Sequence, residues 1–536
     1  MAANDHHASG HQPDGHREPG SRVLILTNSE LGQANVVFAL ILGLLEQDPT
    51  LDIHISSFQQ LQRPLDTFSA LTTQSIPSAK PITFHPLPGR PMFAAMGTDQ
   101  PDPHKNFLHT SSFSPGLFTT PLFIRVYLQH LMLCWPAPEL SSILTSLLTT
   151  LAVLNPDLII CDSLFSPGIT ASIHHRTLSP STPLAIITPN TPKDFLSHRI
   201  PFLRRITTFP VGGAGLPTPL PAKYIPLNIF YFLCVVCFMM TDKVNPAKHS
   251  EVQRLTGLGS ELKIVTGVDL ILQDLAPVDK LIVACEERLD FPFLYEGMSP
   301  DGSLPSPWRE KMVRVGPIVR PARSVREVDG ELDAWLKRGK VVLVALGTHV
   351  GVTAEEAREL GRGLRVVLDA GLRILWKVKA VEGERGAVEG AVREVLGREM
   401  DGDRVRVVGW LEAEPPAVLA TGRVVCSVHH GGANSYYEAV VNGVPQVVLP
   451  PWLDCYDFAS RVELLGLGRW GSRQARPRWK ADELREALVD VVVGRREKFA
   501  SRCKELAEIC RNEMGGRTAA AREVLDLVKN HELPQK

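Results

Sequence analysis

The segment Val428-His429-His430-Gly431-Gly432-Ala433-Asn434-Ser435-Tyr436-Tyr437-Glu438-Ala439 gathers the residue types that hold a phosphorylated ligand. An apolar run from Arg423 ends at Val428, a glycine pair breaks it, and a helical pattern follows. Gly432 lets the backbone approach a ligand closely, and Asn434 and Ser435 are of the types that cap a helix start. Free N–H groups and the positive end of the helix dipole then form an anion site. His430 can donate to a phosphate oxygen, and Glu438, one turn into the helix, can reach back to ribose hydroxyls. Trp410, after Val407-Val408-Gly409, offers a ring for stacking on a base. Gly443-Val444-Pro445 leads into a strand that ends near Pro450-Pro451-Trp452-Leu453-Asp454, where an acid is placed for sugar hydroxyls.

The elements that must carry these residues follow from the apolar pattern. Val23 to Thr27 reads as a buried strand, Asn28 to Gln33 as a turn, Ala34 to Gln47 as a helix stopped by Pro49, and Leu51 to Phe58 as a second strand. That is a βαβ unit, which requires a parallel sheet. Further strands are expected at Leu158–Cys161, ending at Asp162, and at Ala185–Thr188. In the second half, a helix at Leu332–Lys337 precedes a strand at Val341–Leu346, with Gly347-Thr348 directly after it. A helix from Ala354 to Ala370 and strands at Arg373–Val378, Val405–Val408, Arg423–Val428 and Gln446–Leu449 complete the repeat. The fold class is therefore α/β, with two doubly wound Rossmann-like domains. The expected boundaries are a disordered leader at 1–20, domains at 21–320 and 321–515, and a C-terminal helix and tail at 516–536.

Composition narrows the function. Of 536 residues, 44% are hydrophobic and 21% charged, with net charge −1. No bulk field draws such a chain to nucleic acid. Nine cysteines in mostly apolar surroundings suggest reduced, buried thiols, with Cys234 and Cys237 expected to pack in a core. The leader, with His6, His7, His11 and His16, lacks the pattern of a secretory signal, and a cytoplasmic location is expected. Ile229 to Met240 is a run of twelve apolar residues, short of the ~20 needed to span a bilayer. It is expected to be a buried helix or a peripheral membrane contact. Residues 86–135, rich in Pro, Phe, Met and His, are a candidate pocket lining.

The pattern from Trp410 through His430, Gly432, Asn434, Ser435 and Glu438 to Gly443-Val444-Pro445 and Asp454 resembles the donor signature of the family-1 glycosyltransferases, in a form similar to fungal members. That family moves a sugar from a UDP-sugar with inversion, on a GT-B fold of two Rossmann-like domains facing across a cleft. The resemblance implies an acceptor-binding N-terminal domain and a UDP-sugar-binding C-terminal domain. It implies that Trp410 stacks on uracil, that Glu438 holds the ribose, and that Asp454 holds the sugar. Thr348, His430, Asn434 and Ser435 would hold the diphosphate, with neither metal nor other cofactor.

The sequence departs from the family at Glu412-Ala413, where the family has Pro-Gln, in a following segment two residues longer, at Ala433, often a Trp in the family, and at two positions that bear on the chemistry. The family's Gln after the sugar-binding Asp is Cys455 here, and its catalytic His is Gln33, which has no usable pKa for proton abstraction. Asp162 matches the Asp that orients that His. Glu30, in the same loop as Gln33, and Asp162 itself are the remaining candidate bases. The expected reaction moves a hexose, glucose first, to a hydroxyl of an apolar small molecule such as a phenol or polyketide. A UDP-sugar-binding protein without turnover, and a membrane-associated sterol or lipid glucosyltransferase, are the alternatives.

Overall fold

The computed structural model describes residues 20–298 and 304–532. The histidines of the leader, part of the Pro/Ser-rich loop at 299–307, and the last four residues lie outside the described residues.

Two parallel sheets account for every named strand. The first contains β1 (Arg22–Leu26), β2 (Asp52–Phe58), β3 (Thr83–Leu87), β4 (Leu158–Asp162), β5 (Leu184–Thr188), β6 (Lys280–Val283) and β7 (Met312–Arg314), in the order β3-β2-β1-β4-β5-β6-β7. The second contains β8 (Val341–Ala345), β9 (Arg373–Lys377), β10 (Val405–Val408), β11 (Val424–His429), β12 (Gln446–Val448) and β13 (Gly468–Trp470), in the order β10-β9-β8-β11-β12-β13. In each sheet the strand order reverses beside the first strand, at β1/β4 and at β8/β11. Ligands of open α/β sheets bind at that point, outside the carboxyl ends of the strands.

The central strands β1, β4, β5 and β8 are buried almost along their whole length, which is why they read as continuous apolar runs. β3, β6, β7 and β13 carry weaker signals. β3 is an edge strand with Pro86 in it and a half-exposed face, and β7 and β13 have three residues each.

The domains share one continuous core. Tyr436 and Phe458 of the second domain cluster with Leu289 and Phe291 of the first. Within that apolar contact the Arg461 guanidinium donates to Asp290 at 2.8 Å, and the two side chains are 1% and 0% exposed. Arg461 also donates to Thr191 and lies over the Phe291 and Phe458 rings. Lys193 and Asp457 form a second ion pair across the cleft.

The C-terminal helix, Gly516–Glu532, returns to the first domain and packs along helix Leu31–Gln47, burying Ala520, Ala521 and Val524. Arg517–Glu46 and Lys280–Glu523 ion pairs flank it. The returning chain is tied to the outgoing one by a hydrogen bond from the Gly516 N–H to the Val315 carbonyl, 2.7 Å.

Several expectations are corrected. Helix Leu31–Gln47 starts three residues early, so Gln33 sits in its first turn rather than in a loop. Seven cysteines are buried, but Cys234 is half-buried and Cys237 exposed, so the pair does not pack in a core. Both lie on helix Ile225–Thr241, whose apolar run is largely exposed rather than buried.

Removing one partner of a buried ion pair leaves a charge without compensation, at a cost of about 3–5 kcal/mol. Asp290→Ala should therefore lower the urea midpoint markedly. Replacing both partners, Asp290→Leu with Arg461→Met, should recover most of the loss.

Candidate active site

A cavity of about 710 Å³ lies between the domains. Glu30, Gln33, Thr348, Trp410, His430, Gly432, Asn434, Ser435, Glu438, Asp454 and Cys455 all line it. Asp162 does not. It is 1% exposed and lies behind the wall, accepting hydrogen bonds from the Leu164 N–H (2.9 Å) and from Asn28 (Nδ2, 3.4 Å). Burial pushes its carboxyl up to about 7 despite those donors.

The C-terminal half of the cavity is built on β8, β11 and the loops after them. Gly431 has φ +85°, and a Cβ there would meet Val448 at 2.8 Å and the Cys455 carbonyl at 3.0 Å. The turn it makes starts helix Ala433–Val441, with Gly432 as the N-cap. Asn434 and Ser435 are therefore inside the helix rather than capping it, and the Asn434 amide donates across the cleft to the Leu31 carbonyl (3.2 Å).

His430 is packed tightly against Gly347, φ +83°, where an added Cβ would come within 2.7 Å of the ring. Burial pushes its pKa down to about 3, so the imidazole is neutral. Its Nδ1 is buried, with no hydrogen-bond partner among the described residues. A neutral imidazole beside a helix N-terminus offers one N–H, which suits a phosphate oxygen. The Lys379 ammonium donates to the Thr348 carbonyl (2.7 Å) and fixes the loop that carries Thr348.

Trp410 follows β10 and is 57% exposed. The Lys377 ammonium sits 4.1 Å from its ring centroid, an attraction of charge for the ring's π face. Glu438 lines the cavity near Glu414, Arg320 and Lys377. Burial and then Glu414 raise its carboxyl to about 8, while Arg320 and Lys377 pull it down. Asp454 follows Leu453, a non-glycine residue held at φ +30°, a strained backbone of the kind that fixes site residues. Burial, Asp194 and Asp457 raise Asp454 to about 7. Cys455 is buried, and its thiol pKa lies well above the usual value. A neutral thiol stands where an amide would offer two strong donors.

The N-terminal half is largely apolar. Met92, Phe93, Met96, Phe107, Leu131 and Phe209 line it, so the segment 86–135 does contribute to the wall. Glu30 is the N-cap residue of helix Leu31–Gln47. Its Oε1 accepts from the Phe93 N–H (2.7 Å), and its Oε2 is buried with no hydrogen-bond partner among the described residues. Burial raises its carboxyl against the pull of that hydrogen bond.

Four lining residues carried no strong signal in the sequence. His349 packs its ring 3.7 Å from that of Phe93, and burial holds its pKa near about 4. Its adjacency to Gly347-Thr348 was the one available clue. Asp194 follows β5 on a short helix, and burial raises its carboxyl to about 6. Asp194 and Asp454 are both charged neighbours of Tyr127, whose hydroxyl is raised to about 12 mainly by burial. Lys193 lines the same wall beside them. No sequence spacing joins Tyr127, Asp194 and Asp454, since they come from three separate segments.

Residues 387–521 match the profile of the Erythromycin biosynthesis protein CIII-like, C-terminal domain. The chain is similar to Glycosyltransferase sdnJ of Sordaria araneosa, with 32% identity over 532 residues, covering 94% of this chain and 97% of that protein. The chain belongs to the family-1 UDP-glycosyltransferases. It is also similar to UDP-glycosyltransferase 708G2 of Citrus unshiu, 29% identical over 40% of this chain and 46% of that one. Among solved structures, a UDP-glucose: anthocyanidin 3-O-glucosyltransferase in complex with UDP superposes with a TM-score of 0.60. That match is 16% identical and covers 96% of this chain and 100% of the other, so it shows the fold. The two parallel-sheet domains are thus the GT-B arrangement, and the enzyme is a UDP-sugar-dependent glycosyltransferase.

In this glycosyltransferase a ribose held by Glu438 would favour the ionised carboxylate. Because burial holds that group at about 8, donor binding that ionises it below that pH would release a proton. Affinity for UDP-glucose, whose phosphates do not titrate near neutrality, should rise with pH up to about 8. Glu438 alone contributes at most about tenfold per unit. Calorimetry in buffers of different ionisation enthalpy reads the proton release at pH 7, and Glu438→Gln should abolish that part of it.

Proposed function

We propose that the enzyme moves glucose from UDP-glucose to a hydroxyl of an apolar small molecule, a phenol or polyketide, with Glu30 as the general base. The observation that carries this is the position of Glu30. Of the two candidate carboxylates, Glu30 lines the apolar half of the cavity and Asp162 does not. The glutamine at position 33 cannot take a proton, and the Oε2 of Glu30, at the N-cap one turn before it, has its basicity raised by burial.

In this reading the acceptor hydroxyl gives its proton to Glu30 as its oxygen attacks the anomeric carbon. The diphosphate leaves toward His430, Thr348 and the N-terminus of helix Ala433–Val441. Fixed N–H donors there stabilise the charge that develops on the leaving group. Attack from one domain and departure toward the other makes a single in-line displacement, so an α-linked donor gives a β-linked product. The helix terminus and His430 meet the diphosphate charge without a divalent cation, and EDTA should leave turnover unchanged. Glucose is favoured because the structurally similar anthocyanidin enzyme uses UDP-glucose. Cys455 is the residue to vary in a donor panel.

Glu30→Gln should lower kcat by about 10²–10⁴ while UDP-glucose affinity stays within a few-fold. The wild-type rate should fall as the pH drops through the raised pKa of Glu30, because the protonated carboxyl cannot accept. A panel of phenols and polyketides with UDP-glucose provides the assay. Binding of UDP-glucose with no product from any acceptor, and no donor hydrolysis, would instead indicate a donor-binding protein without turnover.

A further inference from the structure

Helix Ile225–Thr241 has three faces with different surroundings. Its inner face is fixed to the domain. The Asn228 side chain donates to the carbonyls of Ile206 and Phe209 (both 2.9 Å) and accepts from the Val211 N–H (2.8 Å). Tyr231 packs with Ile124, Ala214, Leu216 and Leu220. A helix pinned this way lies along the protein and does not thread a bilayer. A second face, with Phe232 and Val235, lines the apolar half of the cavity.

The third face is apolar and open. Ile229, Leu233, Val236 and Met240 recur at helical spacing, with Leu233 59% and Met240 82% exposed. Phe202 and Leu203 of the neighbouring helix extend it, and the Phe202 and Phe232 rings meet edge to face. No charged residue occurs between Lys223 and Asp242. Lys223 and Lys243 are exposed at the two ends. Asp242, the acid nearest in sequence, is taken up by Gln129, Asn245 and the Val244 N–H.

We propose that this face seats the N-terminal domain on a lipid surface, with the helix lying in the headgroup–acyl boundary. A ~25 Å helix with a wholly apolar outer face and a lysine at each end matches an interfacial helix, whose basic ends meet lipid phosphates. A second copy of the chain fits less well. Antiparallel pairing of two such helices sets Lys223 against Lys243 of the other copy, and parallel pairing sets like lysines together, with no free acid on the face to meet them. The proposal rests on the exposed face alone. The apolar-acceptor reading adds a reason for it, because Phe232 and Val235 place the cavity wall on the adjoining face.

The test is flotation of the full chain with phosphatidylcholine–phosphatidylserine vesicles. The wild type should float with the vesicles, and Leu233→Glu with Met240→Glu should stay behind. Both sites are exposed, and calorimetric UDP binding by the variant should be unchanged, which shows that it is folded. An environment-sensitive dye on Cys237, in a Cys234→Ser background, should shift its emission to the blue when vesicles are added. Wild-type protein that neither floats nor shifts the dye overturns the proposal. So does a dimer by sedimentation that the double variant dissociates, since the face would then be covered by a second copy. Loss of UDP binding in the wild type would sink the donor reading and leave the flotation result standing.

Discussion

A buried guanidinium governs how the two halves of this enzyme meet. Arg461 lies where water does not reach, between Phe291 and Phe458, and a charge in such a place must be matched. Asp290 and Thr191, both from the first domain, supply the match. The second domain can therefore be docked in one register, with the N-terminus of helix Ala433–Val441 aimed at the cleft. Lys193–Asp457 and the Asn434 contact with Leu31 repeat the constraint nearer the cavity. The pair contributes more to specifying the arrangement than to net stability, because desolvation of both charges offsets most of their attraction.

The same dryness sets the chemistry of the cavity. Burial is the largest cause of the raised pKa of Glu30, Asp454 and Glu438, and of the lowered pKa of His349 and His430. Glu438 and Asp454 are thereby held near neutrality and the two imidazoles are uncharged, while Arg320 and Lys377 add positive charge to the wall. A diphosphate bound beside His430 would meet oriented N–H dipoles, each contact strengthened because little water screens it.

The sequence revealed the fold where burial was complete and lost it where burial was partial. β1, β4, β5 and β8 are apolar along their length and were legible at once. The edge strand β3 contains Pro86, and β7 and β13 are three residues long, so no period could be read from them. The donor side of the site was legible because one contiguous segment, 428–439, carries it. The apolar side was legible only as composition, since its wall is assembled from separate segments. Tyr127, Asp194 and Asp454 meet through tertiary packing, which leaves no trace in spacing. Helix Ile225–Thr241 was left open between a buried helix and a membrane contact for a related reason. An apolar run shows that a helix avoids water, but not whether protein, lipid or another chain covers it.

The return of the C-terminal helix to the first domain has a mechanical consequence. The chain passes between the domains twice, near Val315 and near Gly516, and the two passages are bonded to each other at 2.7 Å. Two adjacent, linked crossings behave like one hinge pin: they permit rotation about a single axis and resist shear and twist. Any opening of the cleft would therefore be confined to that axis, and closing along it would bring Arg461 back to Asp290.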